Sequence, residues 1–228
     1  MPSAIASPLR IAHMSAMAWD SEDPAKKRGY HHGNLREALI DAALRLIGEK
    51  GPGGFTVAEA ARAAGVSPAA PYRHFRDRDE LLADVAKRGF EAFTARLQGA
   101  WQNGHPNPRE ALMRVGHAYL AFARQQPAAY SAMFESGLPM ASHPELHAAG
   151  EAAFAILREG CEAVLAALPA ERRPPTLMVA LHVWSMSHGV ASLFARGDAA
   201  RRPVPMSPED LLEAGVLVYF DGLRSGQA

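Results

Sequence analysis

The side chains best suited to chemistry lie close together between residues 56 and 78. Arg73 carries a planar charged fork that can grip the O6/N7 edge of a guanine, or point at a phosphate instead. Ser67, Ala69 and Ala70 are the other candidates to face base edges. Thr56 offers a hydroxyl at a helix start, where the peptide dipole attracts an anion. For Thr56 and Ser67, helix capping alone is the plainer role, and both roles can hold together. Lys26, Lys27 and Arg28 form a basic arm able to touch a phosphate backbone or a minor groove; a solvated tail is the alternative.

Other chemistry finds less support. His143 and His147 stand four apart near a helix start, as zinc ligands can, but only Glu145 or Glu151 offers a third ligand. His182 and His188 are six apart and share a helical face poorly. Cys161 has no local signature of a nucleophile, and a buried free cysteine is more often core. The chain has no G-x-S-x-G, P-loop or dinucleotide fingerprint. No metal or cofactor is expected, and an enzyme is disfavoured.

Two short helices and a turn must position these groups. In TVAEAARAAGVSPAAPYRHF, residues 56–75, Thr56 and Glu59 have capping-box spacing and predict a helix from about Val57. Gly65 permits a sharp turn. Ser67 then supplies a second cap with Pro68 at the first helical position. Ala60, Ala61 and Ala64 let the two helices approach closely. In such a helix–turn–helix, the N-terminal residues of the second helix meet base edges in the major groove. Pro71 stands where a large apolar residue is usual. As the fourth helical residue it should disturb only the first backbone hydrogen bond, so the second helix is expected to survive. Upstream, Asn34 is a plausible cap, and Leu35, Leu39, Ala42, Ala43, Leu46 and Ile47 form one stripe of an amphipathic helix ending near Gly51–Pro52. Downstream, Asp77 and Glu80 make another cap-like pair.

Residues 28–97 resemble the N-terminal domain of the tetracycline-repressor (TetR) family, through the long first helix, the GVS turn, the YRHF run and the R-D-E-L-L entry to the next helix. The resemblance implies that Tyr72 and His74 hydrogen-bond phosphate oxygens and that Arg78 pairs with a phosphate. It also implies a homodimeric transcriptional regulator, most often a repressor, that binds a palindromic DNA operator and is released by a small-molecule effector. The alternatives are a non-specific or structural DNA-binding protein and, further off, an enzyme using a C-terminal helical pocket.

Composition agrees with a cytoplasmic DNA-binding chain of one or two domains. Net charge is zero, yet residues 24–90 carry 12 Lys/Arg against 8 Asp/Glu, so the basic balance sits on the motif. One cysteine allows no intrachain disulfide. No apolar run is expected to approach the ~18 residues of a membrane span. The first residues lack a secretory signal pattern, and Met14 and Met17 are alternative starts.

The remainder is predicted all-α: a three-helix helix–turn–helix domain followed by a helical ligand-binding and dimerisation bundle, about nine helices in all. The expected division is a flexible tail over 1–25, a DNA-binding domain over 26–78 and a C-terminal domain over 79–228. Helices are expected at about 79–102, 108–126, 127–136, 144–168, 175–196 and 208–224, between Pro/Gly-rich separators. The helix at 175–196 is apolar on nearly all sides and should be buried on more than one face. Its Trp184, His188 and Gly189 are similar to a WHG-type C-terminal domain found in part of the family.

The resemblance places an effector pocket somewhere in 108–196. Met113, His117, Phe122, Tyr130, Met133, Phe134, Phe154, Trp184, Met186 and His188 are its candidate walls, although each serves equally as ordinary core. It also pairs the last two helices with those of a second subunit. Leu177, Leu181, Leu211, Leu212, Val216, Leu217 and Phe220 are candidates for that interface; completing the monomer core is the other possibility.

Overall fold

The computed structural model describes residues 35–195 and 205–225. Asn34, the basic arm Lys26–Arg28 and the tail lie outside the described residues. Eight α-helices are described, and among the described residues there is no strand. They are α1 (Leu35–Lys50), α2 (Val57–Ala63), α3 (Arg78–Trp101), α4 (Pro108–Gln125), α5 (Pro127–Phe134), α6 (Pro144–Leu165), α7 (Thr176–Ala195) and α8 (Pro208–Ser225).

Local chemistry sets most of these boundaries. Proline opens α4, α5 and α6, where its missing N–H costs nothing. Asn107 accepts from the Glu110 N–H at 3.0 Å to cap α4, and Asp77 accepts from the Glu80 N–H at 2.9 Å to cap α3.

α3 is the central element and packs against α1, α4, α5 and α6. Its inner stripe, including Leu82, Ala86, Phe90, Phe93, Leu97 and Trp101, is buried along nearly its whole length. Leu39, Ile40, Ala43 and Ile47 of α1 pack into the same continuous core. At the far end α4 and α6 meet closely: a Cβ on Gly160 would lie 2.9 Å from the Leu112 Cδ1 and 3.5 Å from the Trp101 ring.

Two expectations are corrected here. α7 carries no charged residue, and its Thr176–Phe194 segment, with mean hydropathy 1.3, is long and apolar enough by composition to cross a membrane. Only 28% of that segment is buried by its own chain. Val179, Ala180, Val183, Ser187 and Ala191 face the other helices, whereas Leu177, Met178, Leu181 and Leu193 are exposed. α8 also differs from expectation. Leu212, Val216 and Phe220 are buried in the chain's own core, because this face packs on α4 and α7. Leu211 and Leu217 are half-buried on its flanks.

Candidate nucleic-acid interface and ligand cavity

The capping box at Thr56 forms in full. The Glu59 N–H donates to the Thr56 hydroxyl at 3.2 Å, and the Thr56 N–H donates to the Glu59 carboxylate at 2.9 Å. Lys50 reaches across from the end of α1 and donates to the same carboxylate at 2.7 Å. The Lys50 ammonium, with the Thr56 N–H and hydroxyl, pulls the Glu59 carboxyl from its usual 4.5 down to about 2.

α2 ends in a Schellman turn. Gly65 takes φ 74°, its N–H donates to the Arg62 carbonyl at 3.1 Å, and the Val66 N–H donates to the Ala61 carbonyl at 3.0 Å.

The second helix of the motif does not form as an α-helix. Residues Ala70–Arg73 make a single 3₁₀ turn, preceded by Ala69 without any side-chain cap. An α-helical pattern would have the residue-71 N–H donate to the Ser67 carbonyl, and proline has no such N–H. The Ala70 N–H takes that carbonyl instead at 3.0 Å, closing the tighter ring. Ser67 therefore contributes its backbone here, and its side chain is exposed. Pro71 is fully buried and packs the turn against the core, as the usual large apolar residue would, and Phe75 is 1% exposed behind it.

With Pro71 and Phe75 as anchors, the intervening residues face outward. Tyr72 is 60% exposed, and Arg73 and His74 are exposed beside it. Thr56, Ser67 and Ala69 are exposed, and Ala70 is half-buried. Among the described residues of this region, Arg62 and Arg73 have no partner in their own chain. Arg62 escaped the sequence expectations, although it is a basic residue in the last turn of α2.

Arg78 is engaged differently. Its Nε donates to the Phe55 carbonyl at 3.0 Å, one Nη donates to the Pro52 carbonyl, and the other to Asp79 at 3.1 Å. The guanidinium also lies over the Phe55 ring, 5.0 Å from its centroid. Arg78 thus ties the α1–α2 loop to the start of α3.

A cavity of about 730 Å³ opens among α3, α4, α5, α6 and α7. Of the residues expected to line it, Met133, Phe134, Phe154 and Trp184 do. The others are placed elsewhere. Phe122 lines a separate groove with Ile40 and Val85. His117 points toward Glu213 of α8 at 3.8 Å, and Met186 packs near Gly215 of the same helix. Met113 is half-buried against the core.

Tyr130 and His188 hold a cavity residue rather than lining the cavity. The hydroxyls of Tyr119 and Tyr130 each lie 2.9 Å from the His188 Nδ1. Tyr119 is itself a wall residue, and burial pushes its hydroxyl pKa upward. Leu177 and Leu181, expected at a subunit interface, lie at the cavity's α7 edge. Phe90, Phe93 and Leu97 form the α3 wall, which precedes the 108–196 stretch expected to hold the pocket. Their apolar spacing of three and four residues was the available signal.

Cys161 is fully buried, and burial pushes its thiol up to about 12. Such a thiol is a poor nucleophile. Among the described residues no group of three or more His, Cys, Asp or Glu is gathered as metal ligands.

Two family descriptions match the chain: "Bacterial regulatory proteins, tetR family" over residues 39–85, and "Tetracyclin repressor-like, C-terminal domain" over residues 112–219. Together they cover the helix–turn–helix and the cavity walls from α4 to α7, with the α3 wall between the two matches. The chain belongs to the TetR family.

A Rhizobium meliloti protein named HTH-type transcriptional regulator BetI is 36% identical over 105 residues, 43% of this chain and 50% of that protein. The Brucella canis protein of the same name is 34% identical over 97 residues, 42% of this chain and 49% of that one. The chain thus spans about half the length of the curated relatives it matches. A structure from Rhodococcus sp. RHA1, described as of unknown function, has TM-score 0.72 and 29% identity, covering 87% of this chain and all of that one. The TetR-family regulator PfmR from Thermus thermophilus has TM-score 0.56 and 25% identity, covering 83% of this chain and 98% of its own.

Proposed function

We propose that the protein is a sequence-specific DNA-binding transcriptional regulator that acts as a homodimer and represses until a small molecule enters the cavity. One observation carries the DNA-binding part. Tyr72, Arg73 and His74 project together from a turn whose other side is anchored by buried Pro71 and Phe75. The exposed Thr56 cap and the unpaired Arg62 stand at the two ends of the preceding helix α2, adding a helix N-terminus and a positive charge that suit phosphates. Thr56, Ser67, Tyr72, Arg73 and His74 are assigned to DNA, with Ala69 and Ala70 beside bases. Lys26, Lys27 and Arg28 are assigned to the backbone or minor groove, and Arg78 supports the surface from behind.

The division at residue 78 assigns α3 onward to effector binding and dimerisation. The uncovered apolar stripe of α7, with Val218 of α8 at 73% exposure, supports a second copy as partner. Gly189 of α7 faces open space, which suits close approach of a partner helix and supports placing the C-terminal half in the WHG-type subset. Two such subunits would set their turns into major grooves about 34–36 Å apart. An effector that binds one separation better shifts the population by its differential affinity and no more. A regulator of this kind works in the cytoplasm.

The test is selection of bound duplexes from a random library at near-physiological salt, with the solution mass measured in the same buffer. A palindromic consensus bound by a dimer is the expected result. A folded protein that enriches no sequence would overturn the proposal in favour of indiscriminate DNA binding or none.

A further inference from the structure

Outside the helix–turn–helix, the described arginines spend their guanidinium groups on their own chain. Arg36 pairs with Asp84 at 2.6 Å, Arg88 with Asp41 at 2.7 Å, Arg109 with Asp221 at 2.8 Å and Arg124 with Glu209 at 2.9 Å. Arg96 donates to Gln125 at 2.6 Å, and Arg114 and Arg173 donate to backbone carbonyls. Arg158 is the exception. Among the described residues it has no partner, and it stands exposed on α6 at the rim of the 730 Å³ cavity.

Glu151 also lies on that rim, seven residues earlier on the same face, about 10 Å away by helical rise. An unpaired glutamate is ordinary in this protein, since Glu49, Glu162 and Glu171 have no side-chain partner either. Among the described residues outside the helix–turn–helix, an unpaired arginine is not. The cavity itself is walled by Phe90, Phe93, Phe154, Leu157 and Trp184, and the hydroxyl of Tyr119 is already engaged by His188. Such an interior cannot solvate a charge, so a charged ligand must leave its head at the rim.

We infer that the cavity takes an amphipathic monocarboxylate, with its carboxylate on the Arg158 fork and its apolar body among the aromatic walls. The inference rests on the effector reading of this cavity. The planar guanidinium matches a carboxylate through two parallel N–H donors, which an amine or alcohol head cannot use. Glu151 repels an anion at its own end of the rim, which fixes the ligand's direction. A volume of 730 Å³ lies within the range of about 300–1,000 Å³ usual for small-molecule sites.

The experiment is calorimetric titration of the full chain with decanoate, decanol and decylamine, below the concentration at which any of them aggregates. Decanoate should bind about 10- to 100-fold more tightly than decanol, as one charge-assisted contact provides. R158Q should abolish that preference and leave decanol affinity unchanged, and R158K should restore part of it. Because Arg158 is exposed and unpartnered, these variants should fold like the parent, which circular dichroism checks. Equal affinity for the three probes, preference for decylamine, absence of binding by all three, or an R158Q protein that keeps its preference would each overturn the inference.

Selection of duplexes, run on the same preparation, separates the two proposals. DNA recognition without a carboxylate preference sinks only the ligand assignment. An Arg158-dependent preference without DNA recognition sinks only the regulator.

Discussion

Arg73 and Arg78 stand five residues apart and look interchangeable as phosphate ligands, yet the fold gives them different work. Arg78 spends its donors on the Phe55 and Pro52 carbonyls and on Asp79, whereas Arg73 is exposed without a partner. Arg78→Ala should therefore lower stability by about 1.5–3 kcal/mol, the worth of hydrogen bonds from a charged group, as a denaturant titration would read. Arg73→Ala should leave stability unchanged and lower the slope of log K against log salt by about one. A reversed pattern would exchange their roles. Tyr72→Phe should weaken DNA binding by about 0.5–1.5 kcal/mol at every sequence tested, with no change in folding.

Glu59 makes a prediction in acid. Its folded pKa of about 2 lies below the usual 4.5, so its contribution to the α1–α2 corner is complete above pH 4.5 and is lost as pH falls toward 2. Glu59→Gln should remove that part of the acid dependence. Amide exchange at Thr56 and Glu59 across this window would show it; identical profiles for both proteins would count against the Lys50–Glu59 contact.

Among the helices and turns, Pro71 has the largest consequence for function. A proline without an N–H converts the expected second helix into a 3₁₀ turn, yet its ring fills the buried site beneath that turn. Replacing it by leucine would return the missing donor and permit a longer helix. Because the outward residues would then rotate, the preferred DNA sequence should change. Gly160 of α6 lies close against Leu112 of α4. A Cβ there would press on the Leu112 Cδ1 at 2.9 Å, with the Trp101 ring 3.5 Å away on the same site. Gly160→Ala should be destabilising overall, because overpacking of about 1–3 kcal/mol exceeds the ~1 kcal/mol of helix propensity gained. A raised melting temperature would show that the crossing yields more easily than its packing indicates.

At the scale of the whole molecule, the apolar surface of α7 and α8 is divided between two duties. Leu212, Val216 and Phe220 close the chain's own core, while Met178, Leu181, Leu193 and Val218 are left to solvent. A charge on the exposed set should split a dimer without unfolding the subunit. Val218→Asp is expected to halve the sedimenting mass with its helical signal intact. Leu212→Ala, by contrast, should cost about 2–5 kcal/mol of subunit stability through the cavity it leaves. A Val218→Asp protein that remains dimeric would place the interface elsewhere.

The sequence by itself determined where most of the helices begin, because those signals act within four residues. Thr56 with Glu59, Asp77 with Glu80, and the prolines at 108, 127 and 144 each satisfy or spare a backbone N–H of their own turn. The helix–turn–helix was legible for the same reason, up to Pro71, where a missing local hydrogen bond competed with a packing need that only the core could settle. The apolar stripes announced which residues seek burial, but a stripe does not name what covers it. Tertiary structure decided that Leu212 is covered by the same chain and Val218 is not. It brought the α3 aromatic residues to the cavity, spent Arg78 on loop carbonyls more than twenty residues away, and left Arg158 without an acceptor. These outcomes depend on groups distant in sequence, whose meeting no local rule encodes.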